Sequence, residues 1–133
     1  MILFVEDNKR DEMLTLRAFK KSNFANEVVV AHNGVEALDY VFGTGLYAGR
    51  DTTILPQMIL LDLKMPKTDG LQVLRRIRAD ERTKALPIVI FTSSSEQEDI
   101  IKSYELGANS YVRKPVDFEQ FANATGGRTA TEE

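Results

Sequence analysis

The sequence predicts an α/β fold: a doubly wound, five-stranded parallel sheet that forms a single domain. Short apolar runs alternate along the chain with longer segments of helical spacing, a pattern typical of parallel strands joined by right-handed helical crossovers. Two of the apolar runs, MILL and IVIF, contain no polar residue. Strands of this kind are buried on both faces, so helices are expected on both sides of the sheet.

The elements follow in order along the chain. The predicted strands are the short apolar runs Ile2–Val5, Val28–Ala31, Met58–Leu61, 87–91 and 110–112. The predicted helices are 9–22, 35–42, a third that begins at Asp69-Gly70, 97–106 and 116–124. In the third helix, Leu71, Leu74 and Ile77 fall on one face at 3.6 residues per turn. Asn8 and Asp69 are predicted N-caps, and Gly107 is predicted to close the fourth helix.

Two segments stand outside this regular pattern. Residues 43–56 are long for a helix-to-strand connection, so we expect them to be functional or mobile. The sequence after residue 124 has neither helical nor strand spacing. We therefore expect a domain over residues 1–124 and a disordered tail over 125–133.

Composition limits the function classes. The chain of 133 residues has a formal charge of −3, which argues against binding of nucleic acid, and it contains no cysteine. A disulfide, a Cys-ligated zinc and a thiol nucleophile are thereby excluded. No apolar run is long enough to span a membrane, and the apolar start breaks at Glu6, too early for a signal peptide. We expect a cytoplasmic protein without membrane or nucleic-acid partners.

Chemically active side chains follow four of the predicted strands. Because the carboxyl ends of parallel strands share one edge of the sheet, three carboxylates, a hydroxyl and an ammonium are expected to converge there. In chain order these residues are Glu6, Asp7, Asp62, Thr92 and Lys114. Ser93, Ser94 and Ser95 come directly behind the predicted hydroxyl.

This set of groups favours metal-assisted phosphoryl chemistry. Clustered carboxylates repel one another unless a cation compensates, and ligands that are all oxygen suit Mg²⁺. A metal beside Asp62 would bind one oxygen of an incoming phosphoryl group, while Lys114 and Thr92 would bind two others. Aspartate is an established covalent acceptor of phosphoryl groups. The residues alone therefore predict that Asp62 is phosphorylated.

The motifs FVEDN, ILLDLKMPKTDG, VIFTSS and YVRKPVD occur in this order and spacing. Over about residues 2–122 the chain resembles the receiver domain of two-component response regulators. In its long connection 43–56 and the run ALPIVIFTSS it most resembles the stand-alone regulators that work with phytochrome-type histidine kinases. The resemblance implies a flavodoxin-like sheet with strand order 2-1-3-4-5.

The resemblance also implies roles at the reacting centre. Asp62 would be the phosphoacceptor, with Thr92 and Lys114 as the catalytic hydroxyl and lysine. Thr92 and Tyr111 would form the conformational switch that responds to phosphorylation.

A metal site is implied by the same resemblance. Mg²⁺ would be held by Asp7, Asp62 and the backbone carbonyl of Lys64. Glu6 would act on the metal through water.

The implied partners follow from this chemistry. A sensor histidine kinase of the phytochrome type would donate the phosphoryl group, and the chain would catalyse its own phosphorylation and dephosphorylation without being an enzyme for a separate substrate. We expect no DNA-binding or catalytic domain after residue 124, and therefore expect output by contact with a downstream protein or a phosphotransfer partner. A short last helix would leave apolar surface uncovered, which predicts a homodimer.

Three alternatives remain open. A pseudo-receiver would bind partners without phosphorylation. A haloacid-dehalogenase-type phosphatase needs a second acid two residues after its nucleophile, where this chain has Lys64. A flavodoxin-like cofactor binder needs a hydroxyl- and glycine-rich loop where the chain has EDNKR.

Some polar residues are interpreted as structural. His32 is expected to lie at a strand end without a catalytic role. Arg75, Arg76 and Arg78 are expected to form a solvated helix face.

Overall fold

The computed structural model describes residues 1–21, 27–65, 69–93 and 97–114. Five parallel strands form one sheet in the order β2-β1-β3-β4-β5. Their bounds are β1 Ile2–Val5, β2 Val28–Ala31, β3 Met58–Leu61, β4 Ile88–Thr92 and β5 Ser110–Arg113. The predicted doubly wound, flavodoxin-like sheet is confirmed. The strand order changes direction at β1: β2 lies on one side of it, and β3, β4 and β5 follow on the other.

The strands are connected by helices, as predicted. The α-helices are α1 Lys9–Lys21, α2 Gly34–Phe42, α3 Gly70–Arg78 and α4 Gln97–Glu105, and a short 3-10 helix spans Gly45–Tyr47. The predicted helix 116–124 and tail 125–133 lie outside the described residues. Within the described ranges, every helix is too short or too polar to cross a membrane.

Helix ends agree with the predicted capping residues. The side chain of Asn8 accepts a hydrogen bond from the backbone N–H of Asp11 (N···O 2.9 Å). At the start of α3, the Asp69 carboxylate accepts from the backbone N–H of Gln72 at 3.0 Å. Gly107 has φ of 102°, a conformation that favours glycine, and it follows the end of α4. These caps fix where α1 and α3 begin relative to the strand ends.

The strands bury alternate residues on the two faces of the sheet. On one face, Leu3 and Ile59 pack in the core with residues of α2 and α3. On the other, Phe4 and Phe91 pack with Phe19 of α1. Burial of such a side chain contributes about 1.5–3 kcal/mol, so the two cores hold the sheet rigidly beneath its polar edge.

The long connection after α2 lies at the edge of the sheet where the strands begin. The backbone N–H of Gln57, next to β3, donates to the carbonyl of Met1 at 2.8 Å. Arg50 fastens the connection, because its guanidinium donates to the carbonyls of Tyr40 and Ile54 and stacks 4.1 Å from the centre of the Tyr40 ring. The connection is therefore at the opposite edge from the predicted polar cluster.

Arg78 departs from the prediction of a solvated helix face. Arg75 and Arg76 are exposed, but the Nε and Nη2 groups of Arg78 donate to the carbonyl of Gly107 at 3.0 and 2.8 Å. Nη2 also donates to the side-chain oxygen of Asn109 at 3.0 Å. The prediction was wrong for Arg78 because the connection between α4 and β5 passes beside the end of α3.

Candidate functional site

The carboxyl ends of β1 and β3 place Glu6 and Asp62 side by side. The last residues of these neighbouring strands, Val5 and Leu61, are paired in register. The next residue on each strand therefore continues at the same edge, and the backbone N–H of Asp62 donates to the carbonyl of Val5 at 3.2 Å. The arrangement follows from parallel pairing alone, as the sequence indicated.

Lys114 joins these carboxylates from the end of β5. Its Nζ lies 2.6 Å from Oε1 of Glu6 and 3.0 Å from Oδ2 of Asp62. A third carboxylate oxygen, Oδ2 of Asp11, lies 2.9 Å from the same nitrogen. The structure thus brings one ammonium against three acids, two of which were predicted members of the site.

Burial shapes the electrostatics of Glu6. Its side chain is completely buried, and Oε2 accepts from the backbone N–H of Asn8 at 3.2 Å. This burial raises the pKa of Glu6 from an ordinary 4.5 to about 7; the ion pair with Lys114 opposes the rise, and the charge of Asp62 adds to it. A cation placed at the site would favour the ionised form of Glu6.

Lys114 keeps its proton despite its surroundings. Burial by itself would lower the pKa of Lys114, but hydrogen bonds to Glu6 and Asp11 and the charge of Asp62 raise it above its ordinary value. The ammonium therefore stays charged at neutral pH. It supplies a fixed positive charge beside Asp62.

Glu6, Asp7 and Asp62 together fit a divalent cation. Each offers one carboxylate oxygen, and the three oxygens lie within 4.8 Å of one another. Asp7 is exposed to solvent while the other two are buried, so a bound ion would keep water on its outer side. Oxygen-only ligands with access to water suit a hard ion such as Mg²⁺ or Mn²⁺.

Lys64 lies next to Asp62 in the connection to α3. Its backbone N–H donates to Oδ1 of Asp62 at 3.2 Å, and its ammonium lies 3.2 Å from Oδ2 of Asp99 on α4. The predicted role of its backbone carbonyl as a metal ligand stays a prediction. The ion pair connects the loop that follows β3 to α4.

Thr92 and Tyr111 occupy adjacent strands. Thr92 is the last residue of β4 rather than the first residue after it, because its carbonyl accepts from the backbone N–H of Lys114 at 3.0 Å and so extends the ladder. Its side chain is fully buried. Tyr111 on β5 is half-buried, and burial, with the charge of Asp99, raises its pKa. Ser94 and Ser95 lie outside the described residues.

The sequence did not indicate a place at the site for Asp11. Its side chain nevertheless reaches Lys114 across 103 positions of the chain. One signal was available, since α1 begins only three residues after Glu6 and its first turn must lie over the same edge. His32, which was given no catalytic role, contacts the carboxylates of Glu12 and Glu36 at 3.1 and 3.5 Å.

Comparisons with known proteins agree with this geometry. The family model described as "Response regulator receiver domain" matches residues 2–125. The structure is similar to that of the bacteriophytochrome response regulator AtBRR, with 51% identity, a TM-score of 0.86, and coverage of 95% of this chain and 89% of that one.

Two cyanobacterial regulators are also similar. Response regulator Rcp1 of Synechocystis sp. is 37% identical over 86% of this chain and 76% of its own length, and a Mn²⁺-bound crystal structure of Rcp1 superposes with a TM-score of 0.78. The phosphorylated cyanobacterial phytochrome response regulator RcpA is 38% identical, with a TM-score of 0.79 and coverage of 94% and 88%. The chain therefore belongs to the response regulator receiver domain family of two-component signalling.

Proposed function

We propose that Asp62 accepts a phosphoryl group from a histidine kinase in a Mg²⁺-dependent phosphorelay. The observation that carries this proposal is that Asp62 shares a possible cation site with Glu6 and Asp7 while its Oδ2 lies 3.0 Å from Nζ of Lys114. The pairing balances part of the negative charge around Asp62, which favours the approach of an anionic phosphoryl group. The reaction would be assisted by Thr92 and Lys114, and the conformational response to phosphorylation would involve Thr92 and Tyr111.

In the proposed reaction an oxygen of Asp62 attacks the phosphorus of a phosphohistidine in line. The O–P bond forms as the P–N bond breaks, and the imidazole of the kinase leaves with the electron pair. Lys114 donates a hydrogen bond to one oxygen of the transferred group. Mg²⁺ held by Asp7, Asp62 and the carbonyl of Lys64, with Glu6 acting through water, would neutralise further charge on that group.

Phosphorylation would be read through Thr92 and Tyr111. The new group adds a charge of about −1.5 to −2 and strong acceptor oxygens at the end of β3. The hydroxyl of Thr92 would donate to it from the end of β4, and Tyr111 on the adjacent strand would fill the space left behind. Such a change biases the surface formed by α4 and β5 between two states.

The names of the relatives support a phytochrome-type kinase as the donor, because AtBRR and RcpA are described as bacteriophytochrome and phytochrome regulators. Residues 1–124 would form the receiver domain, and 125–133 a tail. Output would go to a downstream protein or a phosphotransfer partner. We also propose a homodimer, which light scattering at high protein concentration would overturn by giving the mass of a monomer.

Intact-mass spectrometry tests the acceptor. The wild-type protein is incubated with Mg²⁺ and acetyl phosphate. Three samples are treated in parallel: Asp62→Asn, the wild type without metal, and Glu12→Gln, which removes a carboxylate outside the site. A gain of one phosphoryl mass is expected in the wild type and in Glu12→Gln. No gain is expected in the other two samples. Absence of any gain in the wild type would overturn the proposal in favour of a pseudo-receiver.

A further inference from the structure

We propose that Asp11 is a positioning residue that holds the place of a phosphoryl oxygen on Lys114 until Asp62 is phosphorylated. This inference rests on the proposed function. Its basis is the group of three carboxylate oxygens around one nitrogen, at 2.6 Å for Glu6, 2.9 Å for Asp11 and 3.0 Å for Asp62.

The ammonium of Lys114 is already surrounded by carboxylates: it donates hydrogen bonds to Asp11 and Asp62 and forms an ion pair with Glu6. A protonated lysine carries three N–H donors, and here three acceptors lie within hydrogen-bonding or ion-pairing distance of Nζ. A phosphoryl oxygen would be a fourth acceptor. The transferred group would therefore compete with these carboxylates for the ammonium of Lys114.

Asp11 is the partner that is released at the lowest cost. The side chain of Glu6 is completely buried, so loss of its ion pair would leave a buried charge unpaired. Asp62 carries the phosphoryl group and stays in place. The side chain of Asp11 is 34% exposed on the first turn of α1, so water can solvate its carboxylate once Lys114 turns away.

Electrostatic repulsion also favours the release of Asp11 from Lys114. Asp11 adds a further carboxylate beside the group that Glu6, Asp7 and Asp62 form. A phosphoryl group on Asp62 brings additional negative charge close to it, and like charges repel. Replacement of Asp11 by asparagine removes this repulsion. It also makes residue 11 a weaker acceptor for the ammonium of Lys114, so both effects favour the phosphorylated form.

The test uses beryllium trifluoride, a stable mimic of a phosphoryl group on a carboxylate, with Mg²⁺ present. Its dissociation constant is measured by ¹⁹F NMR for the wild type, Asp11→Asn and Glu12→Gln. Glu12 is the matched control, because it undergoes the same charge change one residue along but contacts His32 instead of Lys114. We expect several-fold tighter binding for Asp11→Asn and an unchanged constant for Glu12→Gln.

A second measurement needs neither metal nor mimic. Proton exchange of the ¹⁵N-labelled ammonium of Lys114 with water should be slow in the metal-free protein, because the side chain is only 9% exposed and its ammonium is hydrogen-bonded to Asp11 and Asp62. We expect Asp11→Ala to accelerate this exchange at least several-fold and Glu12→Ala to leave it unchanged.

The outcomes separate the two proposals. A wild type that does not bind beryllium trifluoride would contradict phosphorylation of Asp62 itself. A wild type that binds the mimic, together with equal or weaker binding by Asp11→Asn, would overturn the role of Asp11 alone. Unchanged ammonium exchange in Asp11→Ala would overturn it as well.

Discussion

Gly70, the first residue of α3, packs directly against the backbone of Asp62. A Cβ atom at position 70 would overlap the carbonyl oxygen of Asp62 and would lie 2.7 Å from Cα of Leu63. The backbone N–H of Gly70 donates to the carbonyl of Leu63 at 3.0 Å. The absence of a side chain at Gly70 therefore allows α3 to begin against the residue that carries the proposed acceptor.

Replacement of Gly70 by alanine tests this contact. The obstructing atoms are backbone and cannot rotate away, so we expect Gly70→Ala to lower the free energy of unfolding by about 1–3 kcal/mol. It should also weaken Mg²⁺ binding through displacement of Asp62. Urea unfolding and a Mg²⁺ titration measure the two effects. Gln72→Ala, at an exposed position of the same helix, is the control; equal stability of the two variants would contradict the prediction.

Divalent metal should stabilise the fold. At a Mg²⁺ concentration of about 100 times the dissociation constant, the free energy of unfolding is expected to rise by about 2.7 kcal/mol, and a chelator should reverse the rise. Asp7→Asn should abolish most of this gain, whereas Glu12→Gln should retain it. Thermal unfolding with and without Mg²⁺ provides the measurement. A similar gain in Asp7→Asn would show that the ion binds elsewhere.

The raised pKa of Glu6 predicts a pH dependence for the metal-free protein. Because burial raises that pKa from 4.5 to about 7, the folded state holds the proton more tightly than the unfolded state does. The resulting stabilisation is fully present below the unfolded pKa and is lost as the pH rises through the folded one. Between about pH 5 and 8, the wild type should lose stability relative to Glu6→Gln. The free energy of unfolding of both proteins is measured in chelator at each pH. An equal change with pH in the wild type and in Glu6→Gln would refute the assignment of the raised pKa to Glu6.

Arg78 is expected to be a structural residue. Its guanidinium binds the carbonyl of Gly107 and the side chain of Asn109, whose oxygen also accepts from the backbone N–H of Ile88 at 2.8 Å. Arg78→Ala should lower the free energy of unfolding by about 2–3 kcal/mol, because these acceptors lose a charged donor. The exposed Arg75→Ala should change it by less than about 0.5 kcal/mol. Chemical denaturation measures the free energy of unfolding of both variants. An equal decrease in the two would contradict a stabilising role for the contacts of Arg78 with Gly107 and Asn109.

The strands could be predicted closely because buried strands consist of consecutive apolar residues, which the sequence displays directly. The predicted bounds of β1, β2 and β3 coincide with the observed ones. The fourth strand lies one residue later than predicted. Pro87 has no N–H to donate to a ladder, and Thr92 is held in the strand by its bond from Lys114. The second of these causes is a contact between distant residues, which local sequence does not contain.

The same distinction applies to the site. Glu6, Asp62 and Lys114 could be brought together from the sequence because parallel strands end at a common edge. The place of Asp11 at the site could not be predicted, and neither could the contacts that Arg78 makes away from the site, because each depends on how a helix crosses the sheet and which loop passes its end. Those crossings are set by side-chain packing in the two cores, and periodicity does not specify them.

The contact between Asp11 and Lys114 also bears on how the chain folds. It joins residues 103 positions apart, one near the start of the domain and one just after its fifth strand. Before β5 docks, the carboxylates of the first and third strands face one another without their lysine. The other four strands without β5 would therefore carry uncompensated repulsion at this edge, and β5 relieves it because Lys114 follows directly after it. The charge balance beside Asp62 therefore depends on β5, an edge strand of the sheet, being in place.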